Sequence, residues 1–120
     1  MEIHYKEKTY FSGKDLALSA IGGRWKIAVI WCLLHDSPLR LSEIQKKLPQ
    51  ANQRMLIRQL RELEEDQIIT RFVYPVVPPR VEYQLSDIGL RLEPVVTSIC
   101  NWGDEFSDFV RKEATKIPVE

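Results

Sequence analysis

The sequence predicts an α+β, mainly α fold: a winged helix-turn-helix with a β-hairpin wing and a C-terminal dimerisation helix. Two helical patterns are separated by the short turn Leu48-Pro-Gln-Ala51, the spacing of a helix-turn-helix. Two runs rich in β-branched and aromatic residues follow, joined by a proline-rich loop. The second helical pattern sets leucines on one side and arginines on roughly the other. At 120 residues the chain reads as one domain over 1–120, long enough to bury roughly two thirds of its unfolded surface. It divides into an N-terminal arm or helix over 1–22, a DNA-binding core over 24–85 and the dimerisation helix over 86–115.

Residues 1–13 show no clear period and read as an arm or short helix. Asp15 to Ile21 is a short helix, which Gly22-Gly23 stops by supplying a left-handed turn. From Arg24 to His35 nearly every residue is apolar (Trp25, Ile27, Ala28, Val29, Ile30, Trp31, Cys32, Leu33, Leu34), so this helix is expected at the buried centre. Asp36-Ser37-Pro38 ends it. Leu39-Arg40-Leu41 suits a small strand completing the wing sheet. Ser42 suits an N-cap for a helix through Lys47 with Ile44 and Leu48 inward, and Asn52 suits the N-cap of the next.

That next helix carries two chemistries. Leu56, Leu60 and Leu63 form an apolar stripe at i, i+4 and i+7. Arg54, Arg58 and Arg61 repeat the spacing two residues earlier and project from roughly the opposite side, as a helix lying in the major groove of double-stranded DNA requires. An ordinary solvated face is the alternative, since Arg58–Glu62 and Arg61–Glu65 are both spaced for ion pairs. Ile68–Tyr74 and Val81–Leu85 read as strands, the second alternating Val81, Tyr83 and Leu85 with Glu82 and Gln84. Pro75-Val-Val-Pro-Pro-Arg80 joins them as a stiffened wing tip. The expected DNA-facing set is Arg40, Ser42, Lys46, Gln53, Arg54, Ile57, Arg58, Arg61 and Arg80. Within it Arg54, Arg58, Gln53 and Ile57 are placed to reach base edges, and Ser42, Lys46 and Arg80 to hold phosphates.

Ser86 caps a last helical segment that Pro94 should kink or split, because proline removes an amide donor and clashes with the preceding turn. Beyond it Val95, Ile99, Trp102, Phe106 and Phe109 recur at steps of four and three, a heptad-type seam. It can pack onto its own core, but its spacing and size favour a partner helix, and a symmetric homodimer is the simplest form.

Composition excludes several classes. With 44% hydrophobic and 28% charged residues the chain is not of the disordered kind. Its longest apolar run, Ile27 to Leu34, is far short of the roughly 20 residues a membrane span needs. The N-terminus lacks the pattern of a signal peptide, and two cysteines suggest no disulfide framework, so a cytoplasmic protein without membrane contact is expected. The formal net charge of zero is segregated: residues 40–80 hold eight Lys/Arg against five Asp/Glu, residues 86–120 four against seven. Phosphate binding responds to the local surplus. Neither His4 nor His35 has neighbours at metal-ligand spacing, Gly22-Gly23 lacks the lysine and hydroxyl of a phosphate loop, and no catalytic set emerges. No enzyme, metal or cofactor is expected. The acidic cluster Glu62, Glu64, Glu65 and Asp66 is explained by pairing with Arg58 and Arg61.

The same residues resemble the HxlR-type family of bacterial winged-helix transcriptional regulators. Ile21-Gly-Gly-Arg-Trp25, Leu41-Ser-Glu-Ile44, Met55-Leu56 with Leu60-Arg-Glu-Leu-Glu64, Pro78-Pro-Arg-Val-Glu-Tyr83 with Leu85, and Trp102-Gly103 carry the likeness in order over residues 12–103. It implies a homodimer on an inverted-repeat operator, contacts between protomers through the first and last helices, and approach of Ser42, the arginine helix and the wing to DNA. Many family members that sense electrophiles or oxidants carry a cysteine nine residues before the Ile-Gly-Gly motif. Ser12 stands there in this chain, and a hydroxyl offers no thiolate. Cys32 reads as inert core, which leaves Cys100 as the alternative redox handle. A winged helix that binds protein rather than DNA is the rival reading, and an unidentified small-molecule effector between the buried helix and the aromatic seam stays open.

Overall fold

The computed structural model describes residues 2–116, with side chains through Ala114; Met1 and residues 117–120, the outer ends of the expected 1–120 domain, lie outside the described residues. The chain runs β1 (Ile3–Tyr5), β2 (Lys8–Tyr10), α1 (Gly13–Ile21), α2 (Lys26–His35), α3 (Leu41–Lys47), α4 (Gln53–Glu65), β3 (Ile69–Tyr74), β4 (Arg80–Leu85), α5 (Asp87–Leu90) and α6 (Glu93–Lys116). This is a winged helix-turn-helix. The wing is antiparallel, running in register from Ile69 opposite Leu85 to Tyr74 opposite Arg80, and Leu39 adds a single bridge to Tyr83.

The leucine stripe of α4 does what its spacing requires: Leu56, Leu60 and Leu63 are buried with Val29, Ile30 and Leu33 of α2, Ile44 of α3, Leu85 of β4 and Val96 of α6. Asn52 caps α4 as expected, its side-chain oxygen accepting from the Met55 amide at 2.8 Å. Ser86 caps α5 in the same way, accepting from Gly89 N–H at 3.2 Å. The break expected at Pro94 falls just before it, between α5 and α6. Pro94 itself sits in the first turn of α6, where no intrahelical partner awaits its missing donor.

Five local expectations are corrected. The N-terminal residues form the β1–β2 hairpin rather than an arm or helix, because Lys6 and Glu7 both take left-handed backbone angles, φ 50° and 62°. Such a turn matches strand twist, and neither residue type signals it. Tyr5 Oη donates to Asp66 at 2.9 Å and Lys6 pairs with Asp66 at 2.6 Å, which ties the hairpin to the end of α4. Gly22 and Gly23 do not supply a left-handed turn, and Trp25 takes that conformation instead, at φ 74°. The glycines serve close approach: a Cβ on Gly22 would lie 2.3 Å from the Leu18 carbonyl oxygen, and one on Gly23 2.8 Å from Gln59 Oε1. Ser42 is not the cap of α3. Leu39 exchanges two backbone hydrogen bonds with Tyr83, so the chain leaves the sheet at Arg40, whose N–H donates to Glu43 Oε1 at 2.8 Å. Arg40 and Leu41 are therefore cap and first turn rather than strand. Finally, α2 is apolar all round but not buried all round. Trp31 is 44% exposed and packs on the His35 ring, with centroids 4.2 Å apart.

Candidate nucleic-acid interface

Burying the leucine side of α4 turns its other side outward. Gln53, Arg54, Ile57, Arg58 and Arg61 line one shallow depression, with no carboxylate among its lining residues. Of the two ion pairs that favoured an ordinary solvated face, only one forms among the described residues: Arg58 Nε lies 3.7 Å from Glu62. Glu62 also faces Lys26, at 3.0 Å, whose side chain is 7% exposed. A nearly buried ammonium holds its counter-ion more firmly than a solvated guanidinium does. Glu62 therefore serves Lys26 first, and the arginine face keeps most of its charge. Asp66 is likewise drawn to the N-terminal hairpin rather than to an arginine.

A second depression adjoins the first and shares Ile57 and Arg61 with it; Leu41, Glu64, Arg71, Val81 and Tyr83 complete its walls. It joins α4 to the root of the wing and brings in Arg71, which the sequence reading missed. Arg71 is exposed on β3, opposite Tyr83. A lone arginine inside the run Ile69-Thr-Arg-Phe-Val-Tyr74 was the available signal. Arg40, Ser42 and Lys46 are all exposed around α3, whereas the adjacent Lys47 pairs with Asp36 at 3.4 Å. Arg80 lines neither depression. Its guanidinium lies over the Tyr74 ring, 4.5 Å from the centroid, and 3.6 Å from Glu82. Glu82 in turn holds the Tyr74 hydroxyl above its ordinary pKa, chiefly through a hydrogen bond. The wing arginine is thus partly compensated in place.

Among the described side chains of α6, only Val96 is anchored firmly in the core. The seam residues Val95, Ile99, Trp102, Phe106 and Phe109 are between 42% and 63% exposed, with Val110 beside them. Trp102 and Phe106 stack at 5.0 Å between centroids, and Phe106 and Phe109 at 6.3 Å. Together these side chains form an apolar ridge that the single chain leaves open to solvent. Phe11 and Leu18 are further exposed apolar side chains near the N-terminus.

Cys32 is buried, and that burial pushes its thiol pKa up, so it is poorly disposed to react. Cys100 is exposed on α6 and borders a cavity of about 330 Å³ between α2 and α6 with Trp31, His35 and Glu93, and no residue of the aromatic seam lines it. Ser12 sits just before α1, donates to Asp15 at 3.1 Å and accepts from Lys14 at 3.0 Å. Among the described residues no group of His, Cys, Asp or Glu is placed to hold a metal, and no single helix is long and apolar enough to cross a membrane.

The sequence model of the HxlR-like helix-turn-helix family matches residues 20–111. The chain is 43% identical over 109 residues to an HTH-type transcriptional regulator of Methanothermobacter thermautotrophicus, covering 91% of this chain and 82% of that protein. It is 45% identical over 98 residues to the HTH-type transcriptional regulator YtcD of Bacillus subtilis, covering 82% and 77%. Among solved structures it is similar to the redox regulator HypR in its reduced form, with a TM-score of 0.78, 40% identity, and coverage of 84% of this chain and 99% of that one.

Proposed function

We propose, because the chain belongs to the HxlR-like helix-turn-helix family, that it regulates transcription in the cytoplasm as a homodimer bound to an inverted-repeat duplex. It is a DNA-binding regulator, and no reaction is assigned to it. In this reading α4 enters the major groove. Arg54 and Arg58, with Gln53 and Ile57, meet base edges, where an arginine can bond bidentately to guanine. Arg61 and Arg71 follow the backbone toward the wing, while Arg40, Ser42, Lys46 and Arg80 meet phosphates. The α6 seam pairs with that of a second copy and sets two α4 helices about one helical turn, roughly 34 Å, apart. The observation that carries this is the depression on α4, walled by three arginines, a glutamine and an isoleucine without a carboxylate.

Retardation of DNA from the region upstream of the chain's own coding sequence tests it. Arg54→Ala or Arg58→Ala should each cost roughly 1–3 kcal/mol and relax sequence preference. Arg80→Ala should weaken binding to all sequences alike and reduce its salt dependence. No binding to any duplex at low salt would instead support a winged helix that recognises protein.

A further inference from the structure

An open, groove-like cavity of about 510 Å³ lies away from the arginine face, between the N-terminal hairpin, α1, the turn after α4, and α5. Its walls are mainly apolar, with Leu16, Ala20 and Ile21 from α1, Ile68 after α4, and Ile88 and Leu92 around α5. Small-molecule sites commonly have roughly 300–1,000 Å³ and a few polar groups set in an apolar lining. Two charged side chains border this one, Asp66 and Arg91, and they differ. Asp66 is already compensated by the Tyr5 hydroxyl at 2.9 Å and the Lys6 ammonium at 2.6 Å. Arg91 is exposed and makes no ion pair among the described residues. The cavity therefore offers an apolar body with one uncompensated cation.

We propose that this cavity binds a small apolar monocarboxylate, whose carboxylate pairs with Arg91 and whose body rests on Leu16, Ala20, Ile68 and Ile88. A neutral apolar molecule would leave the guanidinium unused. A phosphate ester or dicarboxylate would bring a second charge against an apolar wall and Asp66, without a partner to offset its desolvation. The site also has a mechanical connection to the arginine face. Ile68 follows Gln67, whose left-handed backbone, φ 60°, ends α4, and the Ser86 hydroxyl donates to the Gln67 carbonyl at 2.7 Å. A molecule seated on Ile68 bears on the end of the helix that carries Arg54, Arg58 and Arg61, and so on DNA affinity. This last step rests on the regulator reading above; the binding itself does not.

Titration calorimetry of the full chain with 2-naphthoate and with decanoate, and with 2-naphthalenemethanol as the neutral counterpart, tests the site. The expected result is saturable binding of a carboxylate at one site per chain. Binding should be roughly tenfold or more weaker for the alcohol and for Arg91→Gln, and lost in Ala20→Leu. Arg91 is exposed, so its replacement keeps the fold even if Ala20→Leu does not. The bound carboxylate should change DNA retardation in the wild type and not in Arg91→Gln, whose retardation without carboxylate should match the wild type. No saturable binding of either carboxylate, equal binding by Arg91→Gln, or binding that vanishes as rising protein concentration seats a second copy in the cavity would overturn the proposal. A chain that binds carboxylate through Arg91 but retards no DNA would sink the regulator reading and leave the ligand site standing.

Discussion

Glu62 is shared between a nearly buried lysine and a solvated arginine, and the two contacts should respond differently to mutation. Glu62→Gln leaves the Lys26 ammonium, whose side chain is 7% exposed, without its counter-ion at 3.0 Å. Removing one partner of a fully buried pair costs about 3–5 kcal/mol, and of an exposed pair about 0–1 kcal/mol. Glu62 is 38% exposed, so the expected loss lies between, at roughly 1–3 kcal/mol. Lys26→Met keeps the aliphatic stem among its neighbours and leaves behind only a carboxylate that water can reach, so it should change stability by less than about 1 kcal/mol. The double mutant should match Lys26→Met. Thermal unfolding followed by circular dichroism separates these outcomes, since 1 kcal/mol moves Tm by roughly 3–6 °C at this chain length. DNA binding supplies a second readout: Arg58, freed from Glu62, should bind up to about twofold tighter in Glu62→Gln, the equivalent of an exposed i, i+4 pair worth about 0.3–0.5 kcal/mol. A Lys26→Met protein less stable than Glu62→Gln would refute the reasoning.

Trp102→Glu and Phe106→Glu should each convert a dimer into monomer or aggregate by light scattering at micromolar concentration, because each sets a charge into an apolar seam; a monomeric wild type would end the dimer proposal. DNA affinity should change no more than about twofold on treatment with diamide, since Ser12 cannot form a thiolate and Cys32 is buried, while Ser12→Cys should respond more strongly. A strong wild-type response abolished by Cys100→Ser would make Cys100 the sensor instead. Asp66, chiefly through its hydrogen bonds, raises the pKa of both the Tyr5 hydroxyl and the Lys6 ammonium. The folded chain thus favours their protonated forms. The docking they provide should be intact below their unfolded values of about 10–10.4 and fade as pH rises through the higher folded ones. Asp66→Asn should lower the pKa of the Tyr5 hydroxyl, read as the difference between absorbance titrations with and without Tyr5→Phe because Tyr74 is raised as well, and an unchanged Tyr5 titration would show that Asp66 does not hold the hairpin.

Legibility in the sequence followed the range of the interaction. The leucine and arginine sides of α4 and the caps at Asn52 and Ser86 are short-range patterns whose chemistry is complete within about one or two turns, and they appear where they were expected. The N-terminal hairpin was not legible, because its turn uses Lys6 and Glu7 in a conformation that favours glycine or asparagine and its docking depends on Asp66, 60 residues away from Lys6. Ser42 had the right chemistry for a cap, but the Leu39–Tyr83 bridge, a tertiary contact, decided where α3 begins. Arg71 joins the arginine track only once β3 is folded beside α4. Lys26 is a charged residue in the core, and nothing near it in sequence names Glu62 as its partner.

Residues 75–79 of the wing tip include three prolines, and the exposed Val76 and Val77 lie between them. Each proline ring has fixed one backbone dihedral before any duplex is met. Ordering an ordinary residue costs about 1–2 kcal/mol of backbone entropy, so a loop of this composition has much less left to lose than a glycine-rich wing of equal length. Where the wing meets DNA as proposed, its approach is a docking of preformed surfaces, not a coupled folding. The heat capacity change of association should then match the apolar area covered by rigid bodies, without the larger negative term that accompanies folding on contact.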